Sequence, residues 1–302
     1  MHFHIRRQQI KNLMLPLAMA GGAIFYKWMG YLTFLSPYLI FLMLFITYCK
    51  LDFKHIRPTR FHLILMMVQM GLSLLAYLAL LPVNHVVAEG VFICIYIPTA
   101  TAAPVITSML GGSISFVATY SLLCNVVVAL TGPFILAEIG DASDITFMQS
   151  AMMIGKKVFP LLLSPLAAAF LLKYIAPKVH KVVTTHQQLS FYLWAVSLFI
   201  IVGSCVSFTI SHWERSETLN IILLAIGALI VCLLQFFIGR KIGRRNGDAV
   251  SGGQSLGQKN TVLAVWLAMV YMNPIASIAP AAYIAWQNIV NSIQLVRYGD
   301  RK

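Results

Sequence analysis

The chain has 302 residues, 59% of them apolar and 10% charged, with a mean hydropathy of +0.82. A soluble domain of this length cannot hide that much apolar surface, so a soluble globular protein is excluded and a polytopic membrane protein is left. The net charge of +13 would suit a nucleic-acid binder, but the basic residues sit in short connections between uncharged apolar runs. No nucleic-acid partner is therefore expected; the bilayer is the expected partner.

A bilayer core about 30 Å thick needs about 20 apolar residues per helix. Ten such segments follow one another at 10–27, 31–49, 61–82, 88–111, 113–137, 148–175, 188–211, 217–239, 249–271 and 275–297. The predicted fold is an all-α membrane protein of ten transmembrane helices joined by short loops. The first segment is flanked by charge and followed at once by others, so it reads as a retained helix and not as a cleaved leader. Cys49, Cys94, Cys124, Cys205 and Cys232 lie scattered in apolar runs without a CxxC spacing, and they read as small hydrophobes, implying neither disulfide nor metal.

If every segment spans, the basic residues collect on one side. Arg6, Arg7 and Lys11 precede the first segment. Lys50, Lys54, Arg57 and Arg60 lie between the second and third, and Lys173, Lys178 and Lys181 between the sixth and seventh. Arg240, Lys241, Arg244 and Arg245 lie between the eighth and ninth, and Arg297, Arg301 and Lys302 close the chain. The opposite loops hold Lys27 and Arg215 with Glu89, Glu138, Asp141, Asp144, Glu214 and Glu217. This charge bias places both termini in the cytoplasm, and a bacterial inner membrane is the expected location.

Five helices entering from inside and five from outside suggest an inverted repeat, 1–137 and 138–302. The fourth segment carries Pro98-Thr99-Ala100-Thr101-Ala102-Ala103-Pro104, and the ninth carries Gly252-Gly253 through Gly257. Two interrupted helices in matching positions point to a transport site, because broken backbone exposes amides and carbonyls that can hold a substrate or an ion. Thr99 and Thr101 at the first break, and Ser255, Gln258, Lys259, Asn260 and Thr261 at the second, are the candidate binding or coupling residues.

Lys259 stands out among them. A charge at mid-depth costs at least about 2.5–3.5 kcal/mol and usually marks a site. No Asp or Glu lies in any segment apart from Glu89 and Glu217 at the outer lips. Asn125 and Ser121 in the fifth segment, Gln287 and Asn288 in the tenth and Gln69 in the third add polar groups at similar depth; such groups also serve as bonds between helices. Lys156 and Lys157 in the sixth segment could attract anions into a cleft or snorkel outward. Phe92, Tyr96, Trp266, Tyr271, Tyr283 and Trp286 could line an apolar cleft. Gly253-Gln254-Ser255-Leu256-Gly257 matches GxSxG, but a nucleophile elbow needs a preceding strand and a His base. Neither is in place, and no enzyme is expected.

Several stretches together resemble the bile acid:sodium symporter family. They are Ser36-Pro37-Tyr38 through Lys50-Leu51-Asp52-Phe53, Val68-Gln69-Met70, Ile97-Pro98-Thr99-Ala100-Thr101-Ala102, Gly257-Gln258-Lys259-Asn260-Thr261 and Trp286-Gln287-Asn288. The resemblance implies a core built from the helices at 61–137 and 217–297, with the crossed fourth and ninth helices inside it. A panel from 10–49 and 148–211 would flank the core, with substrate in the cleft between. It also implies two sodium ions at the crossing, and here the sequence departs from the family. Ser255 stands at the family's Glu position and Lys259 at its Gln position. Ala103 and Pro104 replace a Ser and an Asn, and Val117 and Ser121 occupy two hydroxyl positions. Only Gln69 and Ser121 keep ligand chemistry. Shifting the ninth helix by one residue would put Gln258 at the Gln position but Gln254, not a carboxylate, at the Glu position.

The expected function is therefore secondary transport of an organic anion, either bile-acid-like or a small carboxylate, by alternating access and without sodium. Lys259 would pair with the substrate carboxylate, stand as a fixed surrogate cation, or exchange a proton and couple transport to pH. The alternatives are sodium-coupled symport on the same fold and a sensor that binds without transporting. No cofactor is expected beyond sodium at degraded sites, and substrate identity, direction and oligomeric state stay open.

Overall fold

The structure, a computed structural model, describes residues 14, 17–50, 56–100, 102–140, 146–186, 188–211 and 218–298. Thr101, Glu217 and the start of the first segment lie outside the described residues. Helical residues at 17–24 and a helical turn Tyr26–Met29 lead through a 3-10 stretch, Gly30–Leu35, into α1 (Ser36–Lys50). Then come α2 (Arg60–Leu80), α3 (His85–Tyr96), α4 (Ala103–Met109), α5 (Ile114–Ile139) and α6 (Phe147–Ile175). The chain continues with α7 (Pro177–Thr185), α8 (Gln188–Ser211), α9 (Thr218–Arg245), α10 (Ala249–Gly257), α11 (Thr261–Tyr271) and α12 (Ile278–Tyr298). Among the described residues the only β-type pairing is one isolated bridge.

Five stretches are long and apolar enough to cross a membrane: Tyr26–Lys50, α2, α5, α6 and α9; α3, α11 and Tyr192–Ser207 within α8 are shorter apolar helices. Large apolar side chains face outward, including Leu63, Met67 and Leu75 on α2 and Ile222, Ile226, Leu233 and Phe237 on α9. Polar residues such as Gln69, Asn125, Gln254 and Gln287 are buried. Apolar outside and polar inside is the pattern of a membrane protein.

α9 packs along α10, α5 along α6, α1 along α6 and α8, and α2 along α3. A separate apolar cluster joins Val91, Cys94 and Ile95 of α3 to Leu224, Val231 and Cys232 of α9 and to Tyr283 of α12. The broken helices α3 and α10 are thus held from several sides.

Both interrupted segments are interrupted, but the glycines of the ninth do something other than break it. Gly252, Gly253 and Gly257 are helical residues of α10. A Cβ on Gly252 would stand 2.3 Å from the Gly239 carbonyl oxygen, and one on Gly239 would stand 2.3 Å from that of Gly252. The glycines bring the α9 and α10 backbones into contact, as small residues do between membrane helices. The break itself comes immediately after them, at Gln258-Lys259-Asn260. In the fourth segment Pro104 sits in the first turn of α4, where its missing N–H has no helical partner to lose.

Two further expectations change. Glu89 lies near the start of α3, as its fifth residue, but it is fully buried and not open to the outside. Its Oε2 accepts the backbone N–H of Asn273 at 3.0 Å, and Oε1 lies 3.9 Å from His85 Nδ1. The connection expected after the sixth segment contains α7, a short amphipathic helix with exposed Lys178 and Lys181.

Candidate functional site

The two breaks meet. Pro98 disfavours helical backbone in the residue before it, and Ile97 takes φ −58°, ψ 148°. Gln258 is likewise extended, at φ −88°, ψ 115°. Between them run two antiparallel backbone bonds, Ala100 N–H to Gln258 O at 3.1 Å and Asn260 N–H to Pro98 O at 2.9 Å. Thr99 and Lys259 are the directly opposed pair. This exchange satisfies backbone groups that a bilayer interior could not hydrate.

The last four carbonyls of a helix have no partner within it, and in α3 each finds one. Ile93 O accepts the N–H of Ile97 at 3.2 Å. Cys94 O accepts Gln235 Nε2 from α9 at 3.3 Å, and Ile95 O accepts Lys259 Nζ at 2.7 Å. Tyr96 O accepts Gln69 Nε2 from α2 at 2.9 Å. Ile97 O, just past the helix, accepts both Gln69 Nε2 at 3.0 Å and Lys259 Nζ at 3.2 Å. Side chains from α2, α9 and the α10–α11 break thus close one half-helix end in the protein interior.

Lys259 is 1% exposed, and no carboxylate pairs with it among the described residues. Desolvating an ammonium costs several kcal/mol. Two charge-assisted bonds return about 1.5–3 kcal/mol each, and the negative end of α3 returns up to about 2 kcal/mol. The terms are of comparable size, so the half-helix end offsets much of the cost of burying one positive charge. Two of the three ammonium donors are used.

The end of α10 is closed without charge. Gln254 O accepts the N–H of Gln258, Ser255 O accepts Thr99 Oγ1 at 2.7 Å and Gly257 O accepts the Tyr283 hydroxyl at 2.9 Å. Tyrosines complete both ends. Tyr120 donates to Gln69 Oε1 at 2.8 Å, and Gln235 Nε2 donates to the Tyr283 hydroxyl at 3.0 Å.

Comparison with protein-family models and with curated proteins gives no match to this chain.

The structure brings Thr99, Ser255, Gln258, Lys259, Asn260, Gln69, Ser121 and Gln287 together around the crossing. Gln287 Oε1 accepts the Lys259 N–H at 3.0 Å, Ser121 Oγ donates to Thr99 O at 3.3 Å and Asn260 Oδ1 caps α11 by accepting the Leu263 N–H. Thr261 is the first residue of α11. Asn125 and Asn288 turn inward on their own helices, donating to Ser121 O and Ile284 O. Ser255 Oγ, Gln258 Nε2, Thr261 Oγ1 and Asn125 Oδ1 are buried without a hydrogen-bond partner; unsatisfied buried groups are costly, and these are free to meet a ligand. Lys156 and Lys157 are exposed on α6. The aromatic residues are mostly packing: Phe92, Tyr96 and Tyr283 are fully buried, and Trp286 Nε1 donates to Ala225 O.

Sequence reasoning missed Gln235, Tyr120 and Tyr283. Gln235 carried a usable signal, a lone amide deep in an apolar helix, like Gln69. The tyrosines carried none that distinguished them from other buried aromatics.

Proposed function

We propose that this chain is a secondary transporter of an organic anion, with ten spans in two inverted five-helix halves and with Lys259 in the place of a coupling cation. The observation that carries the reading is the Lys259 ammonium on Ile95 O and Ile97 O, a cation site at a broken helix filled by a side chain. In many transporters the ends of such half-helices coordinate the driving ion. A tethered ammonium supplies the same charge without a bound ion, so transport needs no sodium gradient. It also argues for the surrogate-cation role over a direct salt bridge to substrate, since the ammonium is already engaged with backbone. The departures from the bile acid:sodium symporter pattern support the same view, with Ser255 where the family has its carboxylate.

The substrate anion belongs beside the crossing, where buried hydroxyl and amide groups lack partners. The test is counterflow of carboxylated and sulfated organic anions in proteoliposomes, with sodium or potassium outside. Uptake that ignores sodium and is lost in Lys259→Met is expected. A requirement for sodium in the wild type would overturn the reading, and ligand binding without counterflow would identify a sensor instead.

A further inference from the structure

Away from the crossing, the starts of α2 and α5 border an open cavity of about 400 Å³ at the end of the bundle where Arg57 lies. Its described lining includes Arg57, Thr59, His62, Ser113, Ser115 and Thr119. Every one of them can donate a hydrogen bond, and none is an acid. Arg57 is exposed and has neither ion-pair nor hydrogen-bond partner among the described residues. Thr119 is 2% exposed, yet its hydroxyl also has no partner among them, although it lines the cavity.

The walls are fixed. The Thr59 N–H donates to His62 Nδ1 at 3.0 Å, which leaves the ring proton on Nε2 to be donated to Phe116 O at 3.1 Å. The His62 ring stacks on Phe116 with centroids 3.9 Å apart. One neutral imidazole therefore ties the first turn of α2 to that of α5. Both helices direct their N-terminal ends here, and neither has an acidic residue in its first turn; the positive end of α2 adds to the Arg57 charge, whereas that of α5 already meets Asp248 at the Ser113 N–H. Asp248, a carboxylate beside Ser113 among the described residues, is already hydrogen-bonded: it accepts the N–H groups of Ser113 and Ser251 and the Ser251 hydroxyl.

We propose that this cavity is an oxyanion site, taking a carboxylate, phosphate or sulfate group between Arg57 and Thr119. The guanidinium supplies the charge and paired donors that such groups favour, and the Thr119 hydroxyl supplies the inner contact. The inference does not rest on the transport reading, because no residue of the cavity touches Lys259. The oxyanion could belong to a soluble anion or to an anionic lipid headgroup, since both present the same chemistry.

The experiment uses the full chain in phosphatidylcholine nanodiscs and follows its melting temperature against potassium sulfate, with potassium chloride at equal ionic strength as reference. Binding to the folded state raises the melting temperature saturably, whereas the general salting effect of sulfate acts on every variant alike. The expected result is a saturable rise in wild type whose apparent Kd weakens at least about fivefold in Arg57→Gln and in Thr119→Val. Lys259→Gln should keep the rise, which separates failure of this site from failure of the cation reading at the crossing. Absence of a saturable rise in wild type, or a rise undiminished in both cavity variants, overturns the proposal. Repeating the titration in nanodiscs with phosphatidylglycerol assigns the source. A rise in both lipids means a soluble anion, and a rise only in phosphatidylcholine means that the headgroup already occupies the cavity.

Discussion

Thr99 and Lys259 oppose each other across the bridge, and each sends its side chain to the carbonyl four residues before the other. Thr99 Oγ1 donates to Ser255 O at 2.7 Å and Lys259 Nζ to Ile95 O at 2.7 Å. The two half-helix ends are closed by equivalent moves, one with a hydroxyl and one with an ammonium. The crossing is reciprocal in geometry and one-sided in charge, which is why a cation role falls on α3 and not on α10.

That reciprocity predicts energetic coupling. Thr99→Val removes one cap and leaves Ser255 O bare, and Lys259→Met removes the other and leaves Ile95 O bare. Each should destabilise the protein, by about 1–1.5 kcal/mol for the hydroxyl and about 2–3 kcal/mol for the ammonium. Because both residues share one bridge, the double variant should depart from additivity by about 1 kcal/mol. Denaturant unfolding of the two single variants and the double variant measures this directly. Strict additivity would mean that the two ends are held independently.

The two glutamines that close the end of α3 should not be equivalent. Gln69 donates to Tyr96 O, Ile97 O and Cys124 Sγ and accepts from Tyr120. Gln235 donates to Cys94 O at 3.3 Å and to the Tyr283 hydroxyl. Gln69→Leu strands the Tyr96 carbonyl and the Tyr120 hydroxyl, leaves Ile97 O with Lys259 alone and should cost about 2–4 kcal/mol; Gln235→Leu should cost about 1 kcal/mol, because one of its bonds is long and Tyr283 keeps Gly257 O. Melting temperatures of the two variants in one detergent would rank them, and a reversed order would show that the α3 end is not held from α2.

Much of this arrangement was legible in the chain. Apolar run length gave the membrane class, and prolines in the fourth segment and glycines in the ninth marked the two interruptions, although the glycines themselves are helical. Lys259 announced itself by charge alone. What could not be read was direction and partner. Nothing in the sequence says that the Lys259 ammonium ends on the carbonyls of residues 95 and 97, because a backbone acceptor has no residue type. Glu89 looked peripheral for a related reason: its burial depends on the chain at Asn273 folding back over α3. The glycines of the ninth segment were misread because glycine serves both to break a helix and to let two helices touch, and only the neighbour distinguishes the two.

That last distinction can be tested. A methyl on Gly252 would meet Gly239 O at 2.3 Å and Gly243 Cα at 2.9 Å, both in the α9 backbone, which cannot rotate out of the way as a side chain could. Gly252→Ala should therefore force α9 and α10 apart and cost about 1–3 kcal/mol. Gly71, in the middle of α2, has no atom within 4 Å of the same added methyl. Gly71→Ala should stabilise by about 0.5–1 kcal/mol, because alanine loses less backbone freedom in a helix. Opposite shifts in melting temperature for two chemically identical substitutions would separate close packing from helix breaking. If Gly252→Ala were instead stabilising, α9 and α10 could not lie as close as the structure places them, and the geometry delivering Lys259 to α3 would have to be different.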